Sequence, residues 1–186
     1  MRRILSSTFW ASLLLFVSVC TGSTQTAPRG LILGPNDGEK RYYPDAKEAI
    51  IIKIDPVHGG SRHIVLETFV LGINEYIPVH RHLYVDEILM VQHGTAAIYL
   101  AGRRERVSDG ATAYFPANTW MGVKNVGTTP LSMVAIFSAP GFEQRQRLVT
   151  VTVPGGKLNL TPAERAAINK RYGVEYNDEI PIVKPR

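Results

Sequence analysis

The chain has 186 residues, of which 45% are hydrophobic and 20% are charged, and this composition excludes the disordered, collagen-like and coiled-coil classes and favours one compact domain. Its single cysteine excludes an intrachain disulfide and every cysteine-rich zinc pattern, so a metal site must use histidine and carboxylate ligands. Lys and Arg outnumber Asp and Glu by 21 to 16, but they are scattered. Only Arg103, Arg104 and Arg106 cluster, and we interpret them as the solvated edge of a hairpin, so we expect no nucleic-acid partner.

Residues 1–25 have the order of a signal peptide: a basic start, an apolar stretch at 9–19 and then small polar residues. The apolar stretch is shorter than the ~20 residues that cross a bilayer. We therefore predict export to the periplasm or the exterior, with no transmembrane segment once the leader is removed. Cys20 directly follows the apolar stretch, which leaves a lipid anchor through this cysteine as the alternative, although the bulky Val19 before it argues against lipid attachment.

A polar extension at 26–44 precedes a body at 45–155 that consists of short β-type runs separated by turn residues. No helical period interrupts these runs. Their number and spacing predict an all-β sandwich or barrel. The predicted strands are Ala49–Ile54, Arg62–Leu71, Tyr76–His82, Asp86–Gln92, Ala96–Leu100, Ala111–Phe115, Met121–Asn125 and Leu131–Phe137.

The C-terminal region at 156–186 differs in kind, because Thr161, Pro162 and Glu164 form an N-cap, a first-turn proline and a capping-box glutamate. They predict a helix over 165–172 that ends at Gly173. We interpret this helix as a lid on the barrel or a subunit contact. The segment after Gly173 is expected to be an extended or frayed end.

Two histidines on one predicted strand are the main candidates for chemistry. His80 and His82 point to the same side of the strand while Arg81 points to the other, because successive side chains alternate. Glu87 follows across a short turn and supplies a third ligand. Two imidazoles and a carboxylate suit iron, manganese, nickel, zinc or copper and leave coordination positions open for a substrate.

The spacing H-x-H-x4-E-x6-G of His80, His82, Glu87 and Gly94 resembles the first motif of the cupin superfamily. In that motif a glycine normally stands six residues before the first histidine, and here Asn74, the non-glycine residue that best tolerates positive φ, takes its place. The second cupin motif is matched by a further set of residues, in which asparagine again replaces a glycine, at position 118. This set is Gly110, Pro116, Asn118, Met121 and Asn125.

The resemblance implies a cupin, a jelly-roll β-barrel with a short C-terminal helix, and it also implies a homodimer. The departure is Met121, which stands where the family usually has a fourth ligand, a histidine. A thioether is a soft, weak donor for these ions. Three interpretations stay open: water takes the vacant position in a working three-ligand site, Met121 tunes the metal, or the site has decayed into a plain binding pocket.

The resemblance implies a small-molecule partner and leaves the function open between two classes. The first is a metal-dependent enzyme acting on a small oxygenated organic substrate, most consistent with a dioxygenase, because the C-terminal tail is similar to that of quercetin-dioxygenase-like cupins; isomerases and decarboxylases are the other options. The second is a non-catalytic module that binds a sugar, a phenolic compound or an organic acid. In both, Met121, Tyr84 and Trp120 are expected to line the pocket beside the ligands.

Overall fold

A computed structural model describes residues 30–44, 46 and 48–183 of the chain. The predicted leader at 1–25, with Cys20, lies outside the described residues. Within the described ranges, none of the helices combines the length and the hydropathy that crossing a bilayer requires.

Two antiparallel sheets form the body of the protein, and they confirm the predicted all-β barrel of jelly-roll type. The first sheet has the strand order β1-β2-β3-β10-β5-β8 and the second has the order β11-β4-β9-β6-β7. All eight predicted strands are present, as β2 to β6 and β8 to β10. The strands are β1 (Glu39–Arg41), β2 (Ile50–Ile54), β3 (Val65–Leu71), β4 (Tyr76–His82), β5 (Glu87–His93), β6 (Thr95–Leu100), β7 (Arg103–Ser108), β8 (Thr112–Phe115), β9 (Met121–Asn125), β10 (Leu131–Phe137) and β11 (Val174–Tyr176).

The core lies between the two sheets and follows from the period-two pattern of the strands. In β10 every second side chain is buried, from Leu131 to Phe137, while the intervening residues are half-buried. These side chains join one apolar cluster with Leu89 of the first sheet and with Ile98 and Val123 of the second. Burial of each large apolar side chain contributes roughly 1.5–3 kcal/mol, which makes this cluster the main stabilising element of the barrel.

The structure contains strands and a helix that the sequence did not predict. The basic cluster at 103–106 forms the edge strand β7, in agreement with the predicted hairpin edge. The tail directly after Gly173 is extended as expected, because its residues 174–176 form β11, which pairs with β4. The helix α1 (Phe142–Val149) follows β10 and was missed. Its buried side chains include Glu143, Arg145 and Gln146, so its inner face shows no apolar period.

The predicted C-terminal helix is present as α2 (Pro162–Arg171). Thr161 accepts a hydrogen bond from the Glu164 backbone N–H, and the Glu164 carboxylate accepts one from the Thr161 backbone N–H, so the capping box is complete. The helix has no buried residue of its own. It lies against α1, where Arg145 donates a hydrogen bond to Asn169, so the contact between the two helices includes a polar interaction.

Candidate metal centre

The structure brings His80, His82 and Glu87 together across the two sheets. His80 and His82 lie at the end of β4 and Glu87 begins β5, and all three side chains are buried. Each offers one ligand atom, and the three ligand atoms lie within 4.8 Å of one another. The alternation on β4 also holds for Arg81, which points outward and binds Glu175 on β11.

The turns that hold β4 in place use the predicted residues. Asn74 and Asn118 both adopt φ 65, the left-handed conformation that a glycine would supply in the family motif. Gly94 has φ 105, and a Cβ there would come within 3.0 Å of the Leu131 Cα atom, so only glycine fits. Gly110, with φ 82, lies in the turn before β8.

The turn at Pro116 and Asn118 contacts β4, the strand that carries the two candidate histidine ligands. Pro116 follows β8 and its carbonyl accepts a hydrogen bond from Thr119. The backbone N–H of Asn118 donates to the carbonyl of His82, at 2.6 Å. The second motif therefore positions the end of β4 through its backbone rather than through a side chain.

The environment keeps both imidazoles neutral. Burial, together with the nearby His82, lowers the pKa of His80 to about 4. Burial, together with Arg145, lowers the pKa of His82 to about 3. Burial raises the pKa of Glu87 to about 7, although His80 opposes this rise. Neutral imidazole is the form that binds a metal ion, so both histidines are in the ligand state at neutral pH.

The hydrogen bonds of the three residues fit a metal ion. His80 Nδ1 donates to the Pro78 carbonyl at 2.8 Å, which leaves the lone pair of its Nε2 for a ligand bond. His82 Nε2 lies 3.3 Å from a Glu87 carboxylate oxygen. His82 Nδ1 is buried and has no hydrogen-bond partner in the part of the chain that is described. A cation among the three side chains would bind nitrogen and carboxylate lone pairs, including that of His80 Nε2.

Met121 lies on the interior side of β9 but belongs to the apolar core. It is directly opposite His80 in the β4–β9 register, and its side chain is 3% exposed. It packs with Ile98 and Val123 and is not part of the cavity wall beside the histidines. The fourth ligand position of the family is thus filled by a buried thioether.

Tyr84 and Trp120, which were expected to line the pocket, lie outside it. The Tyr84 side chain is 70% exposed, and its ring lies against Gly173. Trp120 precedes Met121 and so points away from the interior, where the Arg81 guanidinium lies 4.5 Å above its ring. Tyr84 lies beyond the end of β4, and Trp120 packs against a second apolar cluster that includes Val79 and Tyr99, so neither side chain belongs to the cavity wall.

A cavity of about 720 Å³ opens beside the three candidate ligands. This volume lies within the roughly 300–1,000 Å³ that is usual for small-molecule sites. Apolar side chains form part of its wall, notably Phe137 and Phe142, whose rings contact His82 edge to face. The polar side of the cavity, which the sequence did not reveal, comes from the segment after β1 and from β3, α1 and β11: Tyr43, Glu67, Arg145, Gln146 and Tyr176.

Glu67 is the member of this polar side that the sequence could have revealed. It stands between Val65 and Phe69 at an inward-facing position of a predicted strand. Burial of a carboxylate there costs free energy unless the group is paired or hydrogen-bonded. Its side chain is 2% exposed, and among the residues that the structure describes only its Oε2 has a hydrogen-bond partner, Gln146 Nε2 at 3.4 Å. Burial raises the pKa of Glu67 to about 8, although the Gln146 hydrogen bond opposes this rise. The carboxyl group therefore holds a proton at neutral pH.

The comparisons with known proteins agree with this architecture. The family model described as "Cupin domain" matches residues 68–137. An uncharacterized protein of Bacillus subtilis, YrkC, is 28% identical over 86 residues, which cover 43% of this chain and 46% of YrkC. The chain thus spans about half the length of the curated relative that it matches.

Three solved structures share the fold at low sequence identity. A predicted oxalate decarboxylase from Thermotoga maritima has a TM-score of 0.53 at 11% identity, over 59% of this chain and 99% of that chain. A polyketide cyclase from Streptomyces resistomycificus has a TM-score of 0.52 at 19% identity, over 74% of this chain and 91% of that chain. A sugar phosphate isomerase of the cupin superfamily from Silicibacter pomeroyi has a TM-score of 0.51 at 18% identity, over 58% of this chain and 75% of that chain.

The family match shows a cupin domain at 68–137, and three residues of this region form a His-His-Glu group that could hold a metal ion.

Proposed function

We propose that the protein is a metal-dependent enzyme that acts on a small oxygenated organic substrate, with dioxygenase-like chemistry as the expected reaction type. The observation that carries this proposal is the convergence of the His80, His82 and Glu87 ligand atoms within 4.8 Å at the wall of a cavity. Two imidazoles and a carboxylate are the donor set of iron, manganese, nickel, zinc or copper sites that keep open positions.

The chain's own residues prepare the site for such an ion. His80 and His82 present neutral imidazoles, and the Pro78 carbonyl fixes the tautomer and orientation of the His80 ring. Phe137 and Phe142 cover one side of His82 and exclude water from it. When bound, a divalent ion supplies Lewis-acid polarisation of a substrate oxygen or activation of dioxygen.

The proposal also covers location and assembly. Export is supported by the signal-peptide order of residues 1–25, with a lipid anchor at Cys20 as the alternative. A homodimer is proposed from the presence of a cupin domain. The small-molecule partner is supported by the size of the cavity.

A second candidate function is a non-catalytic module that binds a small molecule. It is favoured by the 3.3 Å contact between His82 Nε2 and Glu87, since these two groups partly satisfy each other without a metal. The buried Met121 opposite His80 in place of a fourth ligand points the same way.

Oxygen uptake by the metal-loaded protein distinguishes the two functions. The protein is loaded separately with Fe(II), Mn(II), Ni(II), Zn(II) and Cu(II), and a panel of organic acids, phenols and sugars is added in an oxygen electrode or followed by mass spectrometry of products. The enzyme proposal expects turnover that His82→Ala removes and that His93→Ala, at an exposed histidine paired with Asp109, retains. Binding without turnover by every metal form supports the non-catalytic module instead.

A further inference from the structure

A buried arginine, Arg145, lines the cavity and forms no ion pair with any other residue that the structure describes. The Arg145 side chain is 2% exposed and lines the same cavity as the three candidate ligands. Arginines elsewhere in the structure do form ion pairs, as Arg147 does with the carboxylates of Glu39 and Asp55. Within the described residues, no carboxylate lies at ion-pair distance from Arg145.

The partners of Arg145 are all neutral and leave part of its hydrogen-bonding capacity unused. Its Nε donates to Asn169 at 2.9 Å and its Nη2 to the Tyr176 hydroxyl at 2.9 Å. Its Nη1 has only long contacts, to the Tyr43 hydroxyl at 3.4 Å and to the Gln146 amide oxygen at 3.5 Å. A guanidinium has five N–H donors, so donors remain for an anion in the cavity.

The nearby carboxyl groups do not neutralise this charge. Glu143 is buried on the same helix, but its oxygens accept from the Gly141 backbone N–H and from Gln144. Glu67 is bonded to Gln146 and not to Arg145. A buried charge without a counter-ion costs several kcal/mol, and buried charges in proteins are normally paired, so a ligand of opposite charge would relieve this cost.

The surrounding rings fix the guanidinium relative to the candidate metal centre. Its central carbon lies 5.8 Å from the Phe142 ring and 5.8 Å from the Tyr176 ring. The same Tyr176 ring stacks on His80 with centroids 5.6 Å apart, and the Phe142 ring meets His82 at 4.5 Å. The charged group and the candidate ligands are thus separated by single aromatic rings that line one cavity.

We propose that the substrate of this site is a small organic acid, whose carboxylate binds Arg145 while the rest of the molecule lies beside His80, His82 and Glu87. This inference names the substrate class of the proposed function and rests on it. Planar, forked guanidinium groups bind carboxylates through two parallel hydrogen bonds, which gives both affinity and orientation. Asn169 and Tyr176 hold the arginine, so α2 and β11 act as positioning elements of the site.

Calorimetric titration of EDTA-treated protein with acetate, succinate and benzoate, and with the neutral amides of these acids, tests the proposal. At least one acid is expected to bind the wild-type protein about tenfold more tightly than its amide, since a hydrogen bond to a charged group is worth this much. Equal binding of acids and amides, or no binding of any acid, overturns the proposal without need of a variant.

Variants then assign the preference to Arg145. Arg145→Gln is expected to lose the preference for the acid, while the control Arg106→Gln, on the exposed strand β7, keeps it. Circular dichroism and thermal unfolding check that each variant is folded, and Arg145→Lys, which keeps the charge, is expected to retain part of the preference. An acid preference that survives Arg145→Gln overturns the assignment.

The metal-free design separates this inference from the proposed function. If His80→Ala binds no metal while acid binding depends on Arg145, both ideas are supported. If the wild-type protein never takes up metal but Arg145 still selects acids, the enzyme proposal fails and the chain is an acid-binding module.

Discussion

At the scale of the residue, Glu67 shows what a carboxyl group costs inside the barrel. Burial raises its pKa to about 8, whereas the unfolded chain has the ordinary value of 4.5. Below about pH 4.5 the group is protonated in both states, so it has no effect on the pH dependence there. Between pH 4.5 and 8 only the unfolded chain loses the proton, and the free energy of unfolding therefore falls as pH rises through this window.

Glu67→Gln removes this titration and is expected to flatten the stability profile. In urea unfolding with EDTA present, the pH dependence of the variant should match that of the wild-type protein near pH 4 and diverge from it by several kcal/mol by pH 8, since a pKa raised from 4.5 to about 8 at about 1.4 kcal/mol per unit sets an upper bound of roughly 5 kcal/mol. Glu105→Gln, an exposed position on β7, is the control and should show no such divergence. Parallel profiles for wild type and Glu67→Gln would show that the carboxyl group is ionised in the folded protein.

Met121 offers a second test at the scale of one side chain. It is opposite His80 in the β4–β9 register, and directly opposed residues have Cβ atoms about 4.5–5.5 Å apart. Met121→His should therefore add a fourth ligand and tighten Zn(II) binding by about tenfold or more, which corresponds to ~1.4 kcal/mol. Calorimetric or competition titrations measure the change, and Met90→His, at an exposed methionine of β5, is the control. Unchanged affinity in Met121→His would mean that position 121 does not face the ligands.

At the scale of the element, α2 depends on its cap because it buries no residue of its own. Short helices without such burial are marginal in water, so local hydrogen bonds decide their stability. Thr161→Ala removes the hydroxyl that accepts a hydrogen bond from the Glu164 backbone N–H. This change is expected to lower the stability of α2 by about 1 kcal/mol. Hydrogen exchange should show faster exchange in the first turn of α2, and Thr161→Ser should restore protection. Equal exchange in all three proteins would contradict the role of the cap.

The elements also show which parts of the site can be predicted from sequence. The ligand pair on β4 and the positive φ at Asn74 and Asn118 follow from alternation and from local backbone chemistry, so sequence alone reveals them. The helix α1 does not follow, because its inner face carries Arg145 and Gln146 in place of an apolar stripe.

The strand β11 was missed for a different reason. It is three residues long and exists through pairing with β4, a partner more than ninety positions away in the chain. Local patterns do not encode such a pairing, and Tyr176 reaches the cavity only through it. Sequence therefore predicts the candidate metal ligands, whereas the side of the cavity that we propose to bind the substrate is evident only in the folded structure.

At the scale of the whole molecule, different parts of the fold supply the candidate metal ligands and the polar residues of one cavity. The two sheets supply His80, His82 and Glu87, and the segments outside the central strands supply Tyr43, Arg145 and Tyr176. On the proposed function, the barrel strands hold the candidate metal ligands, and the added helices and the tail supply the residues proposed to select the substrate. This division agrees with the general observation that one fold supports many functions through grafted sites.

The most direct test of the account is elemental analysis of the untagged protein, purified without added chelator, together with three variants. We predict nearly stoichiometric transition metal in the wild-type protein and in the control His93→Ala, an exposed histidine. His80→Ala and Glu87→Ala, folded by circular dichroism, should each lose it. Metal that persists in both variants, or wild-type protein that stays metal-free after reconstitution, would contradict a metal centre at these three residues.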